Sequence, residues 1–115
     1  MSLGNPKAIR AQKDGKDPFE YLPLGPLRGA ARVMGHGGEK YGRYNWRHDK
    51  ILYSTYKAAI MRHLIAFFEE QQDLDPDSGE SHLDHILACC LVLRDAEEAG
   101  TAQDDRGLSE SKDAS

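Results

Sequence analysis

Two apolar runs separated by a helix-breaking acidic turn constrain this chain more than any other feature. The first runs from Ile51 to about Gln71 and sets Leu52, Tyr56, Ala59, Ile60, His63, Leu64, Phe67 and Phe68 on one helical stripe. The second ends near Ala99 and carries Leu83, Ile86, Leu87, Cys90, Leu91 and Ala96 at helical spacing. Between them lies Asp73-Leu74-Asp75-Pro76-Asp77-Ser78-Gly79. Pro76 cannot continue a helix, and Ser78-Gly79 is turn chemistry. Ser81 is placed to cap the second run, with Asp84 three residues on, and Gly100 stops it. A link this short folds the two helices into an antiparallel hairpin. Glu69 and Glu70 are then expected near His82 and Asp84 or His85.

The hairpin end is charged in one sense only. From His63 to Leu93 there are seven carboxylates (Glu69, Glu70, Asp73, Asp75, Asp77, Glu80 and Asp84) and no Lys or Arg. Such charges repel one another unless something positive sits between them. A divalent cation preferring oxygen ligands, Mg²⁺ or Mn²⁺, fits that need and would let substrate phosphate complete its shell. The plain alternative is a solvated polar face with acids at helix ends. A calcium loop is disfavoured: Asp73, Asp75 and Asp77 alternate correctly, but Gly79 comes one position late and Pro76 interrupts the loop. His82-x-x-His85 with Cys89 a turn later shares one helical face, yet this is not a common zinc spacing.

Upstream, Lys16 to Pro26 is a Pro-rich approach, and Leu27 to about Tyr41 reads as a helix weakened by Gly35, Gly37 and Gly38. Tyr41 to Lys50 is a polar-aromatic loop. Lys40, Tyr41, Asn45 and Trp46 combine a cation, aromatic faces and an amide, which suits a base and a triphosphate. The alternative for a lone Trp is an anchor between loop and core. Arg62 can meet a phosphate or pair with a carboxylate across the hairpin. No serine or cysteine is spaced as a nucleophile and no phosphate-loop motif is present, so activated water is the better attacking group.

The length allows one domain, divided here into a flexible segment over 1–15, an all-α domain over 16–99 and a disordered acidic tail over 100–115. Roughly 80 foldable residues give little net stability from one core, which favours a homo-oligomer. Net charge is −4 with no basic stripe, which argues against nucleic-acid binding. Neither a signal peptide nor a membrane-spanning run is evident. Cys89 and Cys90 are neighbours on a helix and point too far apart to bridge, which indicates a reducing cytoplasm.

Several strings taken together carry a family resemblance. They are Phe19 with Leu22-Pro23; Gly38-x-Lys40-Tyr41-Gly42-x-x-Asn45-Trp46; Ala59-x-x-Arg62-His63-Leu64-x-Ala66; and Asp75-Pro76-Asp77-Ser78-Gly79-x-x-His82-Leu83-x-His85. Over about residues 12 to 98 the chain resembles the largely phage-borne dATP/dGTP diphosphohydrolases of MazZ type, distant relatives of the MazG-like all-α pyrophosphohydrolases. The resemblance implies a small helical bundle completed by dimerising or tetramerising. It also implies cleavage of a deoxypurine nucleoside triphosphate between the α- and β-phosphates, with Mg²⁺ or Mn²⁺. MazG-like enzymes usually hold metal with Glu-x-x-Glu on one helix and Glu-x-x-Asp on the next, and that arrangement on two successive helices does not stand here. The hairpin instead offers Glu69 or Glu70, Asp73 or Asp75, and Asp84 as metal ligands. Lys40, Arg62, His63 and His82 or His85 would act on the phosphates, and Tyr41, Asn45 and Trp46 would form the base pocket. The rival reading is a non-catalytic acidic helical module that binds cations or a basic partner.

Overall fold

The computed structural model describes residues 5–7, 10 and 14–107. Residues 108–115 of the expected tail, and much of the expected flexible segment over 1–15, lie outside them. The described fold is all-α apart from one two-stranded ribbon. Its main helices are α1 (Leu24–Tyr41), α2 (Tyr53–Leu64) and α3 (His82–Ala99).

α1 begins earlier than the periodicity predicts, because Pro23 holds an extended residue at the cap and Pro26 lies in the first turn, where its missing N–H costs nothing. Gly35, Gly37 and Gly38 do not break it. It stops at Gly42, whose φ of 91° lies in a region open mainly to glycine and whose N–H returns to Gly38 O.

α2 is shorter than its apolar stripe. Ile51–Leu52 form a strand, β1, paired in parallel with β2, Ala102–Gln103. At the other end α2 widens into a π-turn over Ile65–Glu69, with Glu70 N–H reaching Ile65 O at 3.1 Å. Gln71 then turns the chain out of the helix with φ 54°, a left-handed conformation that a residue with a Cβ adopts at some cost. α3 matches its reading: Ser81 Oγ accepts the Leu83 N–H at 3.1 Å, and Gly100 closes the helix at φ 78°.

The acidic turn is well tied. Asp75 N–H donates to Glu80 O and Gly79 N–H to Asp75 O, each at 2.8 Å, while Leu74 and Ser81 form an antiparallel bridge. α3 packs against both α1 and α2 and so forms the centre of the fold. The buried apolar side chains are few and mostly small: Ala30, Trp46, Ala66, Ala88, Val92 and Ala96. Trp46, Val92 and Ala96 make a cluster that Met34, Ile51, Tyr56 and Ala102 cover. Trp46 therefore anchors the α1–β1 loop to the core. Its indole N–H donates to Asp95 Oδ2 at 2.6 Å, and Arg47 grips the same carboxylate at 2.7 and 2.8 Å.

Residues 101–107, which the composition assigns to a disordered tail, continue into the fold through β2 and through Asp105, which accepts the Ser54 N–H at 3.0 Å. Part of the predicted apolar stripes stays outside the core: Phe68 is 63% exposed, and Leu52, Leu83 and Leu91 are also exposed, as are Met61 and Ile65, which lie off the predicted stripe. Among the described residues no helix is long and apolar enough to cross a membrane. Cys89 and Cys90 are both free thiols.

Candidate active site

The antiparallel return of α3 along α2 leaves a cleft of about 740 Å³ where α2 ends, the acidic turn lies and α3 begins. That volume falls within the range of small-molecule sites. The C-terminal half of α1 forms one wall through Val33, His36, Gly37, Lys40 and Tyr41. Arg62 and His63 enter from α2, Asp75, Asp77 and Ser78 from the turn, and His82 and His85 from α3.

Three imidazoles sit at its centre. His63 and His85 stack with ring centroids 4.4 Å apart and planes 12° from parallel. His63 Nδ1 lies 2.8 Å from His82 Nδ1, so one of the two nitrogens carries the hydrogen and the other accepts it. The far side of His82 settles which. Its Nε2 is 2.7 Å from Gln72 Oε1, an acceptor, so Nε2–H donates there. With its hydrogen on Nε2, His82 presents the Nδ1 lone pair, and His63 Nδ1–H donates to it. His82 is only 3% exposed, which makes this pairing necessary rather than incidental.

Burial lowers the His63 pKa from its ordinary value, and the nearby His85 and His82 add to the effect. Burial likewise lowers that of His85, against the pull of Asp75. Both rings are therefore neutral near pH 7. His85 Nε2 lies 2.7 Å from Ser78 Oγ and 3.7 Å from Asp75 Oδ2. Burial pushes the Asp75 carboxyl up, but hydrogen bonding from Ser78 outweighs it and leaves the group below the ordinary carboxylate range. Asp75 is thus the ionised acid beside the imidazoles. One ligand atom from each of His63, Asp75 and His82 lies within 4.8 Å of the others.

The fold separates the residues singled out from sequence. Lys40, Tyr41, Arg62, His63, Asp75, His82 and His85 line the cleft together. Glu69, Glu70 and Asp73 are exposed and do not line it. Asp84 lies against α1 instead: a Cβ built on Gly29 would sit 2.0 Å from Asp84 Oδ2, so only glycine allows that approach. Asn45 does not line the cleft. Trp46 borders a separate hollow of about 570 Å³ with Gly35, Gly38 and Tyr44, on the opposite face of α1 by helical period. Gln72, which presets His82, has no signal in the sequence that could have found it. Ser78 is legible only as turn chemistry. Glu80 is a further unpredicted contributor; Arg32 Nε donates to it at 2.9 Å, fastening the acidic turn to α1.

The donor set of the central cluster is one carboxylate and two imidazoles. That composition is one that Zn²⁺ or Fe²⁺ takes readily, and it matches Mg²⁺ and Mn²⁺, which suit oxygen donors, less well.

Comparison with known proteins gives the same direction. A family model described as "dATP/dGTP diphosphohydrolase, N-terminal" matches residues 6–106. A "dATP/dGTP diphosphohydrolase" of Salmonella phage PMBT28 is 30% identical over 79 residues, covering 69% of this chain and 26% of that protein. The chain thus spans about a quarter of the length of this curated relative. No solved structure matches. The match of one family model to nearly all of the described fold shows that this chain belongs to the dATP/dGTP diphosphohydrolase family.

Proposed function

We propose that the cleft hydrolyses a deoxypurine nucleoside triphosphate, dGTP or dATP, to the nucleoside monophosphate and pyrophosphate. The observation that carries this reading is the gathering of Lys40 and Arg62 with three imidazoles around the ionised Asp75 in one cleft, in a chain of net charge −4. Lys40 and Arg62 can each make charge-assisted hydrogen bonds to phosphate oxygens from facing walls of the cleft, which suits a polyanionic ligand.

Lys40 on α1 and Arg62 on α2 would hold the phosphates from two walls. Gly37 leaves room for the chain of phosphates to approach α1. Tyr41, exposed at the mouth, offers its ring to the base. Water adds its oxygen to the α-phosphorus, the bond to the bridging oxygen breaks, and pyrophosphate leaves. His85, facing Ser78 Oγ, is placed to take the proton that water loses. His63, Asp75 and His82 would hold a divalent cation. That ion, when bound, supplies charge neutralisation on the phosphates and a more acidic water.

A homo-oligomer, dimer or tetramer, belongs to the same reading. The buried core is small, and Met61, Ile65 and Phe68 expose apolar surface along the outer side of α2 and its π-turn. The test is a panel of deoxynucleoside triphosphates with the products separated. Equal amounts of dNMP and pyrophosphate support the reading, and the rate at low substrate should fall sharply in Arg62→Ala. A folded protein that cleaves none of them refutes it.

A further inference from the structure

We propose that Arg32 and Glu80 form a positioning pair that holds the acidic turn in register with α1 and so aligns Asp75 and Ser78 with His85. This role rests on the hydrolytic reading above, although neither residue of the pair lines the cleft.

The place of Glu80 in the turn is the first observation. Its C=O accepts the Asp75 N–H at 2.8 Å, and its N–H donates to Ser78 Oγ at 3.1 Å. Ser78 in turn donates its own N–H to Asp75 Oδ2 at 3.1 Å, and its Oγ stands 2.7 Å from His85 Nε2. The backbone of Glu80 thus holds both turn residues that face His85. Each bond shares a residue with the next, so a shift of Glu80 moves the whole set together.

The second observation is what holds Glu80 itself. Its side chain is 15% exposed and receives Arg32 Nε on Oε1 at 2.9 Å. His36 Nε2 lies 3.9 Å from the other oxygen, Oε2. Arg32 and His36 stand one helical turn apart on α1. A carboxylate largely withdrawn from water needs such a donor. The Arg32–Glu80 contact spans 48 residues and ties the turn to α1, which is itself packed on α3.

The third is the division of the cleft between helices and turn. Lys40 and Arg62, which hold the phosphates in the reading above, stand on α1 and α2, whereas Asp75 and Ser78 ride on the turn. Freeing the turn disturbs the reacting geometry and leaves the grip on the phosphates in place. A misplacement of about 1 Å is enough to slow a reaction by about 100-fold. The loss belongs in kcat rather than in KM.

The experiment compares the full chain with Arg32→Ala, Arg32→Lys, Glu80→Ala and the double alanine variant, using dGTP or dATP and excess Mn²⁺. Circular dichroism checks that each variant is folded. Arg32→Ala is expected to lower kcat by about 10- to 100-fold with KM within about threefold of the parent. The contact uses one guanidinium nitrogen, so Arg32→Lys should recover most of the loss, which a general weakening of the fold would not predict. The double variant should be no slower than the slower single one. Amide hydrogen exchange without nucleotide should show the Asp75 N–H exchanging about 10-fold faster in Arg32→Ala while that of Val92, in the middle of α3, is unchanged. An unaltered kcat, a rise in KM alone, additive losses in the double variant or an unaltered Asp75 exchange overturns the proposal. A folded parent that cleaves no deoxynucleoside triphosphate refutes the hydrolytic reading and takes this role with it, whereas an active parent with an indifferent Arg32→Ala refutes this role alone.

Discussion

His63 and His82 meet nitrogen to nitrogen across the α2–α3 hairpin, 2.8 Å apart in space and 19 residues apart in sequence. The contact exists because the acidic turn closes the hairpin tightly. His82 N–H donates to Asp73 O at 3.1 Å, which fixes the first residue of α3 against the end of the turn. The remainder of the cleft is assembled around this pair.

The acids of the hairpin should differ sharply in their effect on turnover. Asp75→Asn removes the ionised carboxylate beside the imidazoles and is expected to lower kcat by about 100-fold or more. Glu69→Gln and Glu70→Gln alter exposed side chains that do not line the cleft, and each should stay within about threefold of the parent. Steady-state pyrophosphate release from the three variants checks this. Loss of activity in either glutamate variant would place that residue in the machinery.

The two cations of the cleft should act on binding. A charge-assisted hydrogen bond is worth about 1.5–3 kcal/mol, so Lys40→Ala and Arg62→Ala are each expected to raise KM by roughly 10- to 100-fold. Added salt should weaken substrate binding in the parent and do so less in the variants. Measuring KM against ionic strength tests both points.

The Gly29–Asp84 approach should behave as a steric lock. Gly29→Ala forces a Cβ into the Asp84 carboxylate and is expected to cost about 1–3 kcal/mol through overpacking. Asp84→Ala removes the opposing atoms, so the double variant should recover most of that loss. Thermal unfolding of the four proteins forms the cycle. Additive losses would mean that the two residues do not oppose each other.

Acid should loosen the loop anchor. Arg47 first, and then Trp46, hold the Asp95 carboxyl at about 2, below its ordinary value of 3.8. A depressed carboxyl contributes stability that is fully present above its unfolded pKa. That contribution should therefore fade as pH drops from about 4 to about 2. Asp95→Asn should flatten this part of the curve of stability against pH, measured by urea unfolding.

The sequence makes the local features readable and leaves the rotational ones hidden. Ser81 and Gly100 mark the ends of α3 because caps depend on a few adjacent residues. The break at Pro76 and the hairpin it creates are legible for the same reason, and they bring His63 to His82 and His85. Glu69 and Glu70 are less readable. Apolar spacing does not distinguish an i→i+4 from an i→i+5 turn, and the π-turn over Ile65–Glu69 changes the rotation just before them. The pairing of β1 with β2 is too short to show alternation. Trp46 has two readings from sequence, base pocket or core anchor, and the structure puts its ring in the core. Gln72 gains its role only from three-dimensional closure, which no one-dimensional pattern encodes.

The account as a whole turns on the cleft being a site of triphosphate cleavage. The most direct measurement incubates the purified chain with dGTP or dATP and Mn²⁺ and identifies the phosphorus products by ³¹P NMR. The predicted result is one pyrophosphate for each nucleoside monophosphate, abolished in Asp75→Asn. Release of inorganic phosphate or tripolyphosphate in its place, or no product from a folded protein, would contradict it.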